Sequence, residues 1–384
     1  MLIALFPGAS WDQGHHIPAV QDILAGAHPL HAAEGARPGV TGGFYHYGAE
    51  ALAALALFIS GGGSIKIVLK LISLATGAAS FWLLYTIIRS FFSRGMAVAG
   101  TLVFFWAGNL FLLLNLGRLL AGSGWHDVPK LIFYGEFARG ASPFPGYFFH
   151  LFHPTTALGF PLFLVGLWLV LRGGKSRAIL SGFLLGPLAL ANLSLALSMA
   201  SALFFYPAMK RLLVKSWELV EWSLWLAGGA VSVFLMGLPL LVFQNPGPGL
   251  VLGPFWTLTL EFHHNIPLLV GAPFIFLGIP FILALPGFIL AFRDNRVGRR
   301  GLAMFLSLSI VGLLIPHIFG TNDFGKLFMT GFLGYSPAAA LALGWLWTKG
   351  RIGKAAVILS VVGMALSPLA FYVFRWMSFG NGSF

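Results

Sequence analysis

A chain of 384 residues that is 58% hydrophobic and only 9% charged, with a mean hydropathy of +0.87, is excluded from the soluble globular class. Its apolar runs are continuous rather than alternating, which excludes a transmembrane β-barrel. The formal charge of +12 arrives in short basic clusters between those runs, as in cytoplasmic loops and unlike a nucleic-acid surface. With no cysteine, disulfides, thiolate metal sites and cysteine nucleophiles are ruled out. What remains is an all-α polytopic membrane protein.

Met1–Pro7 is apolar but far too short to cross a bilayer. It reads as the last turns of a helix whose start is missing, or as a true beginning on the far side of the membrane. The segment MLIALFPG lacks the charged n-region and apolar length of a cleavable signal peptide. Residues 10–48 follow, too polar and too broken by Gly and Pro to sit in lipid. They carry Asp12, Asp22, Glu34 and five of the eleven histidines. The apolar run 47–60 spans only three or four turns and ends in Gly61-Gly62-Gly63, so an interfacial or re-entrant helix is expected there.

The expected spans are about ten: 65–88, 96–117, 153–171, 178–191, 194–209, 219–243, 266–292, 302–320, 327–348 and 355–374. The long run 178–209 is split at Ala191-Asn192-Leu193. Alternation then gathers fifteen of the 23 basic residues on one side, which the positive-inside rule makes cytoplasmic. All eleven histidines and eight of the eleven acids fall on or beside the other face. The organisation read from this is an outer loop with an interfacial helix at 1–64, then a transmembrane domain at 65–384. Pro187, Pro273, Pro280, Pro286 and Pro316 predict kinks. No period of 20–50 residues repeats.

The candidates for chemistry sit on the histidine-rich face. Asp12, with His15 and His16 close behind, is placed to act as a general base or to bind a divalent cation; the plainer reading is a solvated loop acid. His46 and Tyr47, in Tyr45-His46-Tyr47-Gly48, suit recognition of a phosphate or sugar on a lipid-linked donor, or simple headgroup anchoring. Lys130 and Arg139 are among the few cations of that face and suit phosphate contacts. His150 and His153 precede Pro154, which suits the first position of a helix. Glu261, His263 and His264 could supply ligands to Zn, Mn or Fe. Lys326, in Asn322-Asp323-Phe324-Gly325-Lys326, is either half of a local ion pair with Asp323 or a substrate-phosphate contact. Cofactor ligation within the bundle is disfavoured because only His317 lies in a span. Transport is disfavoured because the spans carry almost no acids; Lys66 and Lys70 open one of them.

Taken together, W-D-x-G-H-H (Trp11–His16), I-x-x-G-x-x-P (Ile23–Pro29), Y-H-Y-G (Tyr45–Gly48), H-P-T-T-A-L-G (His153–Gly159), S-G-F-L-L-G (Ser181–Gly186) and N-D-F-G-K resemble the GT-C superfamily. These are polyprenyl-phosphate-sugar-dependent membrane glycosyltransferases, and the likeness is to the branch related to protein mannosyltransferases. The resemblance implies a catalytic Asp at Asp12 with His16 as its neighbour, and a donor phosphate near the second outer loop and the interfacial helices. His15, His46, Tyr47, Lys130, Arg139, His153 and Lys326 are the implied substrate contacts. A divalent cation, Mg or Mn, serves some members and not others. The implied partners are a polyprenyl-phosphate-linked sugar and membrane lipid, with no nucleic acid. The implied location is a prokaryotic cytoplasmic membrane with a periplasmic or extracellular active face. The incomplete first helix leaves a second expectation, a non-catalytic accessory subunit of a larger membrane complex.

Overall fold

The computed structural model describes residues 13–26, 48–108, 110, 154–215, 219–243, 266–294, 297–318 and 324–380. Among them there are thirteen helices and no strand. Among the described residues, five helices are long and apolar enough to cross a membrane: Ile65–Arg89, Pro154–Arg172, Leu193–Val214, Leu219–Met236 and Gly350–Leu369. Large apolar side chains line the outside, among them Trp82 at 68% exposed, Phe234 at 63% and Ile352 at 86%. An exterior of this kind is stable against lipid tails and not against water. The chain is a polytopic all-α membrane protein.

It divides into two compact units, described separately. Unit 1 comprises Met1–Leu84, His150–Pro207 and Ser216–Val251. Its helices are α1 (Gln13–Leu24), α2 (Gly48–Ile59), most of α3 (Ile65–Arg89), α5 (Pro154–Arg172), α6 (Lys175–Phe183), α7 (Leu185–Ala191), most of α8 (Leu193–Val214) and α9 (Leu219–Phe243). Helix α2, at twelve residues, is about 18 Å long and falls short of the ~30 Å hydrocarbon core. Its Ala53, Ala54 and Leu57 pack with Val20 of α1 and Leu69 of α3 into one apolar cluster.

The run 178–191, expected as one span, is two helices meeting at Leu184. The cause is Pro187. Having no N–H, it cannot bond the carbonyl four residues back, that of Phe183. The Ser232 hydroxyl of α9 donates to that carbonyl instead, and accepts from the Gly186 N–H at 3.1 Å. The same helix pair is closely packed at Gly182, where a Cβ would stand 2.1 Å from the Trp225 carbonyl oxygen. Ser181 donates to the Gly166 carbonyl of α5 at 2.9 Å. The S-G-F-L-L-G segment therefore joins α5, α6, α7 and α9.

Unit 2 comprises Tyr85–Phe149, Ala208–Lys215 and Leu252–Phe384. It holds α4 (Arg94–Trp106), α10 (Ile266–Arg293), α11 (Arg299–Ile318), α12 (Phe324–Trp347) and α13 (Gly350–Gly380). Helix α12 is its centre: Met329, Phe332, Leu333, Tyr335, Ala338, Ala339, Ala340 and Ala342 are all buried. Small residues let the neighbouring backbones approach. A Cβ on Gly312 of α11 would lie 2.1 Å from the Gly331 Cα. Tyr335 donates from its hydroxyl to the Ser309 carbonyl at 2.8 Å.

Prolines again release carbonyls that find other donors. Pro368 frees the Met364 carbonyl, which accepts from the Gly108 N–H at 2.8 Å. Pro337 frees that of Leu333, which accepts from the Ser336 hydroxyl at 3.3 Å. Helix α10 breaks at Gly278 (φ 64°, ψ −153°), between Pro273 and Pro280.

Candidate functional site

His16 of α1 and Glu50 of α2, one ionisable residue from each helix, meet inside unit 1. Glu50, the one ionisable residue of α2 (GAEALAALALFI), enters on the buried face with Ala49, Ala53, Ala54 and Leu57. His16 sits on α1, one turn into QGHHIPAVQDIL. Its Nδ1–H donates to Glu50 Oε1 at 2.5 Å, with side-chain exposures of 2% for His16 and 0% for Glu50. Glu50 Oε2 is also buried and accepts no hydrogen bond among the described residues. Two polar side chains so deep in apolar packing are costly to leave unpaired, and the contact between them offsets part of that cost. The contact fixes α1 to α2 at a single register.

The first turns of other helices lie close by. Gly48 packs on the end of α7, where a Cβ would come 3.2 Å from Ala191 Cα and the Leu190 carbonyl oxygen. This is the glycine of Y-H-Y-G, and its lack of a side chain brings α2 against α7. The next residue after α7, Asn192, is extended (φ −163°, ψ 105°) and interrupts the run where the sequence places a turning point. Its Oδ1 accepts from the Leu195 N–H at 3.1 Å, capping α8, and its Nδ2 donates to Thr156 Oγ1 of α5 at 3.2 Å. Pro154 opens α5, as expected, with Thr155 and Thr156 buried behind it. This end of unit 1 is thus a set of helix starts tied by buried polar groups: His16, Glu50, Thr155, Thr156 and Asn192.

The opposite end of α5 is cationic. Arg172 lies over the Trp168 ring at 5.2 Å, and Arg177 donates to the Arg172 and Gly173 carbonyls. Glu221 accepts from the Gly174 N–H at 2.9 Å. Within unit 1, buried polar groups and exposed cations therefore occupy the two ends of one helix.

Of the residues proposed from sequence as catalytic or substrate-binding, His16 is the one whose side chain lies among the described residues. His15 is on α1 and Lys326 is the third residue of α12, their side chains outside the described set. Asp12, His46, Tyr47, Lys130, Arg139, His153, Glu261, His263 and His264 lie outside the described residues, as does Met1–Pro7. The partner that sequence reasoning missed is Glu50. A lone acid in an otherwise apolar helix was the available signal, since such a residue must be paired to be buried. Among the described residues no three His, Asp or Glu side chains come together as a metal-ligand set.

No protein-family model matches the chain, and no curated protein matches its sequence. Among solved structures the chain is similar to the oligosaccharyltransferase of Archaeoglobus fulgidus. Against the form tethered through a disulfide bond to an acceptor peptide containing the NVT sequon, the TM-score is 0.47 at 14% identity, covering 97% of this chain and 54% of that one. Against the apo form it is 0.46 at 13% identity, covering 95% and 52%. This chain spans about half the length of that protein.

Proposed function

We propose that the chain is a GT-C-type membrane glycosyltransferase of the protein-mannosyltransferase-like branch. It would move a sugar from a polyprenyl-phosphate carrier to an acceptor on the non-cytoplasmic face, periplasmic or extracellular, of a prokaryotic membrane. The motifs from Trp11 to Lys326 support the family. The structural observation that carries the reading is the buried His16–Glu50 contact, which ties the helix immediately after Trp11-Asp12 to the helix opened by Y-H-Y-G. A general base is effective only when held within hydrogen-bond reach of the group it deprotonates. In this reading His16 and Glu50 hold the segment, and Asp12 takes the proton.

The reaction follows from those roles. The acceptor nucleophile attacks the anomeric carbon while Asp12 removes its proton; the bond from that carbon to the phosphate oxygen breaks, and the carrier phosphate leaves with the electron pair. Lys130 and Arg139 offset the charge on the departing phosphate. His15, His46, Tyr47, His153 and Lys326 are its proposed substrate contacts. Mg or Mn, with Asp12 as one ligand, is the cofactor this family reading would admit.

The test is transfer of radiolabelled sugar from a polyprenyl-phosphate donor in membranes holding the full chain. Asp12→Ala and Asp12→Asn are expected to lose at least a hundredfold in rate, with unchanged thermal unfolding. Equal activity in wild type and Asp12→Ala removes the assignment. If membranes with wild-type chain transfer nothing under any donor, the accessory-subunit reading takes its place.

A further inference from the structure

The turn between α12 and α13 gathers cations and indole rings on a stretch with no acid. It reads GWLWTKGRIGKAA, and no Asp or Glu follows Asp323 anywhere in the chain. The backbone closes tightly here: the Lys349 N–H donates to the Leu346 carbonyl at 2.8 Å, the Thr348 hydroxyl to that of Trp345 at 2.7 Å, and Gly350 turns at φ 75°. Gly353 brings the first turn of α13 against the Leu346 carbonyl oxygen, which any Cβ would strike. On this hairpin the Lys349 ammonium stands 4.7 Å from the centre of the Trp345 ring, and that of Lys354 5.5 Å from the centre of the Trp347 ring. Both lysines, both tryptophans and Arg351 are exposed. A ring face attracts an ammonium through its quadrupole and consumes none of its three N–H donors. The rings therefore hold the lysines in place and leave their donors to a ligand.

Further along α13 the same face turns apolar. Arg351, Lys354, Ile358 and Val361 follow at i, i+3, i+7 and i+10, one stripe of a helix, with Leu359 and Val362 beside it. All six are exposed, Leu359 at 71%, whereas Gly353, Gly363 and Met364 on the other side are buried. The exposed sector thus runs from charge to hydrocarbon over about 10 Å between Lys354 and Val361, the order of phosphate and acyl chain in a phospholipid. Neighbouring turns add to the positive field. Gly344 of α12 packs on Met96 of α4, and the Gly298 N–H donates to the Phe91 carbonyl at 3.3 Å, so the turns before α4 and α11 share this end of unit 2. They carry Arg89, Arg94, Arg293 and Arg299, and Asp294 is the one acid among their described residues. A soluble acidic partner would answer the charge and leave the stripe bare, whereas an anionic lipid answers both.

We infer that Lys349, Arg351 and Lys354 form a binding site for the phosphate of an anionic glycerophospholipid, with the acyl chains lying along Ile358, Leu359 and Val362. The site shares no residue with the proposed glycosyl transfer, and loss of that activity leaves it standing.

The test uses the full chain in detergent micelles, titrated with dioleoyl-phosphatidylglycerol or dioleoyl-phosphatidylcholine, bound lipid being read by native mass spectrometry. Wild type is expected to bind phosphatidylglycerol about tenfold or more tightly than phosphatidylcholine, and equal binding of the two overturns the site. Arg351→Gln/Lys354→Gln should bind phosphatidylglycerol about 30-fold more weakly. Each single Gln variant should lose about fivefold, which decides the matter if the double variant does not fold. Lys175→Gln, in the basic cluster of unit 1, should bind as wild type does. Undiminished binding by well-folded Gln variants overturns the assignment to this hairpin. Trp345→Leu/Trp347→Leu keeps every charge and should still lose about fivefold, because the lysines are no longer held; unchanged binding overturns the role of the rings. Equal displacement by inorganic phosphate or by polyglutamate overturns the lipid assignment.

Discussion

His16 and Glu50 are 34 residues apart in the chain, yet Nδ1 of one lies 2.5 Å from Oε1 of the other, and neither side chain touches the surface. The contact fixes α1 on α2, because α1 cannot rotate or slide along α2 without leaving the buried Glu50 side chain unpaired. Removing one partner should cost about 3–5 kcal/mol, whereas replacing both by apolar residues should cost far less. Glu50→Ala is thus expected to lower the unfolding temperature in detergent sharply, and His16→Leu/Glu50→Leu to recover most of the loss. Additive losses in that double-mutant cycle would show that the two groups act independently.

Ser232 offers a second cycle. Its hydroxyl serves the carbonyl that Pro187 leaves without a donor, and the Gly186 N–H as well. Ser232→Ala should destabilise by about 1–3 kcal/mol by stranding buried backbone groups. On a Pro187→Ala background the intrahelical bond to Phe183 can form, and the same serine substitution should cost clearly less. An identical cost on both backgrounds would rule out this account of the break at Leu184.

Asn192 both caps α8 and reaches α5. Asn192→Ala should lose about 1 kcal/mol from the cap, together with the contact to Thr156. Asn192→Asp keeps the Oδ1 acceptor and loses the Nδ2 donor, so its unfolding temperature should fall between those of wild type and the alanine variant. A drop as large as that of Asn192→Ala would make the contact to Thr156, rather than the cap, the main effect.

At the crossing of α11 and α12, Gly312→Ala places a methyl group against the Gly331 backbone. Overpacking of this kind costs about 1–3 kcal/mol or more. Gly95→Ala on α4, where a Cβ meets nothing within 4 Å, is the matched control and should be neutral or stabilising by up to about 1 kcal/mol. Comparable melting of the two variants would mean that the helices can separate at little cost.

Much of this was legible in one dimension. Composition and the length of the apolar runs determined a helical membrane protein, because a backbone in lipid must satisfy its hydrogen bonds within each segment. The short helix after residue 47, the interruption at Asn192 and the helix start at Pro154 were readable from local signals: length before a glycine run, a polar residue between apolar runs, and the fixed φ of proline. Pairing was not readable. Nothing in GAEALAALALFI says which side chain Glu50 meets, and nothing in the Ser232 neighbourhood says that it repairs a helix 49 residues away. Those choices depend on distances between helices, set by which small residues permit backbones to close and which carbonyls are left needing a donor. Sequence dictates each helix through its own hydrogen bonds, and only the packed tertiary structure decides where the surplus polar groups are satisfied.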